Sequence, residues 1–141
     1  MDRNVMLTIS GLHSGEADEN GSVETKVRAE YFKKNETHYL LYEEKEEGFK
    51  QTSKNRMKFR DNMLELTRQG LLNTHMVFEE NKTHMTPYQT PYGQMLLGIH
   101  TKKVDIQEQE NFIRVIVEYT LEADEAYLSD SRIEICIKNT V

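Results

Sequence analysis

From Val23 to Tyr31, small or apolar residues alternate with charged ones without a break: Val23, Thr25, Val27, Ala29 and Tyr31 against Glu24, Lys26, Arg28 and Glu30. Successive side chains of an extended chain point to opposite faces, so this is the pattern of a strand with one face buried and one wet. A helix would spread both kinds of residue around its axis. The same period returns along the chain. Val5, Leu7 and Ile9 alternate with Met6, Thr8 and Ser10, and the Tyr- and Leu-rich run Thr37 to Glu44 follows. Met57 and Phe59 share a face, as do Leu64 and Leu66, then Met76 and Phe78, then Met95, Leu97, Ile99 and Thr101. Ile113, Val115, Val117, Tyr119 and Leu121 form another such face, and Ile133, Ile135 and Ile137 the last. No stretch sustains a 3.6-residue period, so little helix is expected.

Turn chemistry separates these runs at Asn20-Gly21, Lys34-Asn35-Glu36, Glu47-Gly48, Asp61-Asn62, Gln69-Gly70, Asn81-Lys82 and the acidic stretch Glu122 to Glu125. Asn, Asp and Gly accept the positive φ that tight hairpins need. Many short strands at this spacing predict a sandwich or barrel. Short connections favour strands that pair in chain order. The expectation is one all-β domain over residues 1–141, an antiparallel up-and-down meander closed into a barrel of about 8–10 strands. Pairing the first strand with the last would remove both exposed edges.

Charge narrows the partners. The formal net charge is -6, and Lys33-Lys34 and Lys102-Lys103 are isolated basic pairs. Nucleic acid and anionic membrane surfaces both demand clustered Lys and Arg, so neither is expected as a partner. Cys136 is the one cysteine, which excludes an internal disulfide and suits a reducing compartment. With no apolar leader or spanning run at hand, a cytoplasmic location is the expectation.

Chemistry-bearing motifs are scarce. His13, His38, His75, His84 and His100 have no HxH, HxxxH or HExxH spacing, and one cysteine does not complete a zinc set. They read as surface or strand histidines. No metal, cofactor or catalytic residue is assigned. There is no GxSxG elbow and no Gly-rich phosphate loop. Cys136, between Glu134 and Lys138 and opposite an isoleucine face, reads as a structural thiol.

Strand direction yields a sharper expectation. In a meander every second strand ends at the same mouth. The third run ends at Tyr42 and Glu44, the fifth carries Leu64, Leu66 and Arg68 on one face, the seventh ends at Tyr88 and Thr90, and the ninth carries Tyr119. The even runs starting there begin with Thr52 and with Tyr92 and Gln94. The predicted ligand-binding group is therefore Tyr42, Glu44, Thr52, Arg68, Tyr88, Thr90, Tyr92 and Tyr119. Two readings of this mouth stand side by side. In one, Arg68 and Glu44 form a paired polar plug, because buried charges must be paired. In the other, Arg68 meets an anionic ligand between tyrosine walls.

Tyr42-Glu43-Glu44 with Gly48, then Thr52, Arg68 with Gly70, Tyr88-x-Thr90-x-Tyr92-Gly93, Thr101 and Tyr119 resemble, in order and spacing, the YwiB-like family. That is a bacterial family of domains of unknown function. The resemblance covers essentially the whole chain and implies an intracellular, calycin-like (lipocalin-type) barrel without implying a catalytic role. Pro87 and Pro91 depart from the pattern and mark their segment as an edge, bulge or strand start.

Three functions follow as expectations. The first is a module binding a small, anionic ligand at the polar mouth. The second is a filled barrel serving as a protein-interaction or homodimer module. The third is an enzyme, with His75, His100 or Glu44 as acid–base groups by default.

Overall fold

The computed structural model describes residues 1–11, 24–45, 52–70, 73–90, 93–124 and 126–140, with the main chain alone at 88–90. Ten strands form one antiparallel sheet: β1 (Asn4–Ser10), β2 (Glu24–Lys34), β3 (Thr37–Lys45), β4 (Thr52–Arg60), β5 (Met63–Gln69), β6 (Thr74–Glu79), β7 (Thr83–Thr90), β8 (Gly93–Glu108), β9 (Phe112–Ala123) and β10 (Ala126–Asn139). Among the described residues there is no helix. The tight turns fall where turn residues stand. Asn35, Glu36, Asp61, Asn81 and Asp124 all have positive φ, a conformation that Asn and Asp tolerate better than most residues. The hairpin tip expected at Asn20-Gly21 and the one at Glu47-Gly48 lie outside the described residues.

The spatial order is β6-β5-β4-β3-β2-β1-β10-β9-β8-β7. The first strand does pair with the last, Leu7 opposite Ile137 and Ile9 opposite Ile135. The barrel is nearly closed, consistent with a calycin-like up-and-down barrel. That pairing does not abolish the edges, as the sequence had suggested it would. It moves them to β6 and β7, between which no ladder forms. One cause is visible in β7, where Pro87 has no N–H to donate.

Main-chain bonds sew the seam between β6 and β7 at its turn end. β8 was expected over Met95 to Thr101, but it runs on to Glu108 through a bulge between Thr101 and Lys103. The bulge switches the parity of the inward face, so Leu97, Ile99 and Thr101 are buried before it and Val104 after it. That switch broke the period on which the shorter strand was read. The bulge also holds the β6–β7 turn: Asn81 N donates to Thr101 O at 2.9 Å, Thr101 N to Lys82 O at 3.2 Å, and Val104 N to the Glu80 carboxylate at 3.1 Å.

Side chains fill the lumen. Val5, Leu7, Leu40, Phe59, Phe78, Ile113, Val115, Val117, Ile135 and Ile137 are completely buried. At about 1.5–3 kcal/mol for each such side chain, this core is the dominant stabilising term.

The end of the barrel away from the mouth is closed by a polar cap. Tyr31 and His38 are both buried, and the Tyr31 hydroxyl lies 2.7 Å from His38 Nδ1. His38 Nε2 faces the Glu108 carboxylate at 3.5 Å, and Lys33 Nζ reaches the same carboxylate at 3.2 Å. A carboxylate only accepts, so Nε2 carries the imidazole proton and Nδ1 accepts from the Tyr31 O–H. The ring also stacks on Phe59, centroids 4.6 Å apart. His38 is thus a buried strand histidine, not a surface one. Burial lowers its pKa from 6.5, the Lys33 charge acts in the same direction, and Glu108 opposes. Burial, with Glu108 second, raises the Tyr31 phenol from 10.0 to about 12.

The sign of the pH dependence follows. Below 6.5 an unfolded chain takes up a proton that native His38 resists, so stability falls as pH drops. Above 10 the unfolded chain loses the Tyr31 proton first, so stability falls as pH rises. Urea denaturation should therefore show a plateau between these limits. His38→Gln should flatten the acid side, and Tyr31→Phe should cost about 1–3 kcal/mol at pH 8 by leaving Nδ1 without its donor. An acid limb unchanged in His38→Gln would assign it elsewhere.

Candidate functional site

Strand register arranges the inner face of β3 to β6 in rows. His38, Phe59, Leu64 and Phe78 lie opposite one another, and next to them lie Leu40, Met57, Leu66 and Met76. The next row towards the mouth is Tyr42, Asn55, Arg68 and Thr74, and beyond it Glu44 stands opposite Ser53. Two apolar rows are thus overlaid by a polar one at the mouth. Period two demands it: residues two apart share a face, so Tyr42 and Glu44 follow Leu40 inward, and Arg68 follows Leu66.

The polar row is bonded within itself. Asn55 Nδ2 donates to Ser53 Oγ at 3.0 Å, and Ser53 Oγ donates to the Glu44 main-chain oxygen at 3.4 Å. Arg68 Nη1 stands 3.9 Å from Glu44 Oε2, each side chain keeping 24% of its exposure. At that separation the two attract as charges without a hydrogen bond. Tyr42 is buried beside them. Burial raises its phenol pKa, the Glu44 charge adds to the rise, and Arg68 opposes it.

The row opens sideways into a cleft. Where β6 and β7 part, a space of about 980 Å³ is bounded by Thr67 to Gly70 of β5, Asn73 to His75 and Val77 of β6, His84 to Pro87 of β7, and Gln94 of β8. Arg68 and Thr74 belong both to the row and to this wall. The cleft narrows where Thr86 Oγ1 donates to the His75 main-chain oxygen at 2.6 Å, and nearer the turn His84 of β7 meets Glu79 of β6 at 2.9 Å. Its titratable lining is Arg68, His75 and His84, and no Asp or Glu lines it among the described residues. Three carboxylates stand just behind these groups: Glu44 at Arg68, Glu65 3.4 Å from His75, and Glu79 2.9 Å from His84. No cluster of His, Cys, Asp and Glu suited to a metal ion occurs among the described residues.

The eight residues expected at the mouth divide. Tyr42, Glu44 and Arg68 come together, facing inward. Thr52 is exposed and shares the outer parity of Lys54 and Arg56. That corrects its expected position: Ser53, in step with Met57 and Phe59, is the residue that turns inward. Tyr119 is buried, but its ring meets Phe78 edge-on at 5.0 Å and belongs to the core. Burial raises its phenol pKa, opposed by a bond with Ser131. Tyr88 and Thr90 end β7 at the mouth, their side chains outside the described set, and Tyr92 lies outside it altogether. Ser53, Asn55, Thr74 and Thr86 were missed. The first two were legible from parity, whereas Thr74 and Thr86 needed the seam. Cys136 is half-buried in β10, its thiol pKa raised first by burial and then by the Glu134 charge.

A family model described as Domain of unknown function (DUF1934) matches residues 7–135. The crystal structure of the ywiB protein from Bacillus subtilis superposes with a TM-score of 0.76 at 16% identity, covering 99% of this chain and 93% of that one. At that identity the likeness concerns the fold. No curated protein matches. No helix among the described residues is long and apolar enough to cross a membrane.

A half-wet ion pair at 3.9 Å belongs with pairs contributing about 0.2–1 kcal/mol. A double-mutant cycle of Arg68→Met and Glu44→Gln, followed by urea denaturation, should return a coupling in that range. A coupling of about 3 kcal/mol or more would instead mark a sealed plug.

Proposed function

The chain belongs to the DUF1934 family of domains of unknown function, and from its own geometry we propose that it is a binding protein for an anionic ligand held in the cleft beside Arg68. One observation carries this reading. In a chain of net charge -6, the cleft is lined by an arginine and two histidines and, among the described residues, by no carboxylate. Glu44, Glu65 and Glu79 stand close to the lining groups, so the attraction for an anion is local and centres on the donor fork of Arg68.

The roles follow from chemistry. Arg68 offers a planar fork of donors, matched to a carboxylate or phosphate. Thr74, Asn73 and Gln94 line the same space and supply hydrogen bonds to the rest of the ligand. A ligand would share the guanidinium with Glu44, which stands 3.9 Å from it. The cleft at the seam, and not the apolar core, holds the polar groups that a charged ligand needs. Neither a metal nor a nucleophile is needed, and a binding role follows more directly from this geometry than a catalytic one.

The test is titration of labelled protein with inorganic phosphate and with citrate, followed by amide shifts. Shifts should centre on Arg68, His75 and His84, and Arg68→Met should weaken binding by about tenfold or more. Equal binding by the variant, or shifts centred away from β5 to β7, would overturn the assignment.

A further inference from the structure

β6 and β7 are the two edges of the sheet, and they face each other across the cleft. In an extended strand, alternate residues turn both main-chain groups to the same side. The His75 carbonyl points into the gap, since it accepts from Thr86 Oγ1, so Val77, two residues on, points its N–H and C=O there as well. Across the gap, the Leu96 carbonyl accepts from Asp124 and therefore faces β9. Pro87, opposite Leu96 in the ladder, consequently turns its imide nitrogen away from β8 and into the gap. β7 thus presents an edge with one donor removed, while β6 presents a competent one. Thr86 engages from its side chain one main-chain acceptor that a ladder would have used.

The cleft combines three features. One wall carries main-chain donors and acceptors at strand spacing. Val77, Met85 and Pro87 add apolar surface, Met85 being 47% exposed. Arg68 stands at the mouth end with His75 and His84 along the walls and, among the described residues, no lining carboxylate. A free anion would use the last feature alone. An extended acidic peptide would use all three, in the manner of strand addition to an open edge.

We propose that the occupant of the cleft is an extended polypeptide segment that displaces the Thr86 hydroxyl from the His75 carbonyl, pairs with the β6 edge at His75 and Val77, and places a carboxylate against Arg68. The segment acts as an eleventh strand and closes the barrel along the seam. Charge complementarity selects an acidic partner, and Pro87 confines pairing to the β6 side. The inference rests on the reading of the cleft as an anion site and adds the identity of the ligand.

The experiment uses the full chain and a capped octapeptide of alternating Val and Glu, with inorganic phosphate as the small-anion probe. Saturating peptide should slow hydrogen exchange of the His75 and Val77 amides by about tenfold or more, as sequestered edge amides do, and phosphate should not. N-methylation of alternate peptide amides should weaken binding by about tenfold for one of the two methylation patterns. Val77→Pro removes an N–H that faces the gap, a place where an edge strand tolerates proline. It should weaken the peptide by about tenfold or more, and undiminished peptide binding would overturn pairing with the β6 edge.

Phosphate binding at Arg68 with no slowing of His75 and Val77 by peptide would overturn the strand and keep the anion site. Indifference of both probes to Arg68→Met would overturn both. Equal binding of a Val/Lys octapeptide would overturn the acidic partner. Slowing that grows with protein concentration alone would make a second copy of the chain the occupant and overturn the peptide.

Discussion

Val5, Leu7 and Ile9 of β1 stand opposite Asn139, Ile137 and Ile135 of β10 on one side, and opposite Ala29, Val27 and Thr25 of β2 on the other. This double ladder joins the two halves of the chain, β2 to β6 and β7 to β10, into one curved sheet. Its isoleucines and leucine are buried because curvature turns their face inward, and the same curvature points Met57, Phe59, Val115 and Val117 at them. A flat sheet would leave those faces wet. Burial of one face of every strand is thus both the cause of the curvature and its reward, and it obliges the lumen to be filled.

Closing the sheet at β1 and β10 leaves the problem of its ends, and the two ends of the barrel solve it differently. Away from the mouth, Glu108 of β8 reaches Lys33 and His38 of β2 and β3, elements that are not neighbours in the sheet. Tyr31, His38 and Glu108 satisfy one another in a place where an unpaired polar group would be costly. The β6–β7 turn is pinned near the same end by the main chain of the β8 bulge. Thr101, at the centre of that bulge, has a buried hydroxyl with no partner among the described residues. Its main chain does the holding. Towards the mouth no main-chain bond joins β6 to β7 among the described residues, and the polar row Tyr42, Asn55, Arg68 and Thr74 opens into the cleft.

The asymmetry separates stability from function. The apolar rows and the cap secure one end, and the mouth is free to keep charge in partial contact with water. Arg68 and Glu44 tolerate each other at 3.9 Å because water shares the load. A drier pair would lock the guanidinium in place. On the proposed reading, an anion in the cleft would meet a guanidinium that keeps part of its exposure.

Strand existence, number and order were legible in the sequence, because side-chain alternation is a local property that survives without knowledge of neighbours. Leu40, Tyr42 and Glu44 had to share a face, and so did Leu66 and Arg68. A meander of correct strand count then brought them to one end. The same parity placed Ser53 inward and Thr52 outward, and the misplacement of Thr52 came from reading strand ends in place of strand faces. Tertiary structure alone decided the rest. The bulge at Thr101 reverses parity without a sequence mark, since one extra residue costs little and looks like any other. His38 looked like any strand histidine until β8 carried Glu108 over it from a sequence distance of 70 residues. Where the barrel opens was likewise hidden. Pro87 flagged an edge, but which strand it would face depends on how far curvature carries β6 round to meet β7, a sum over the whole sheet that no local pattern records.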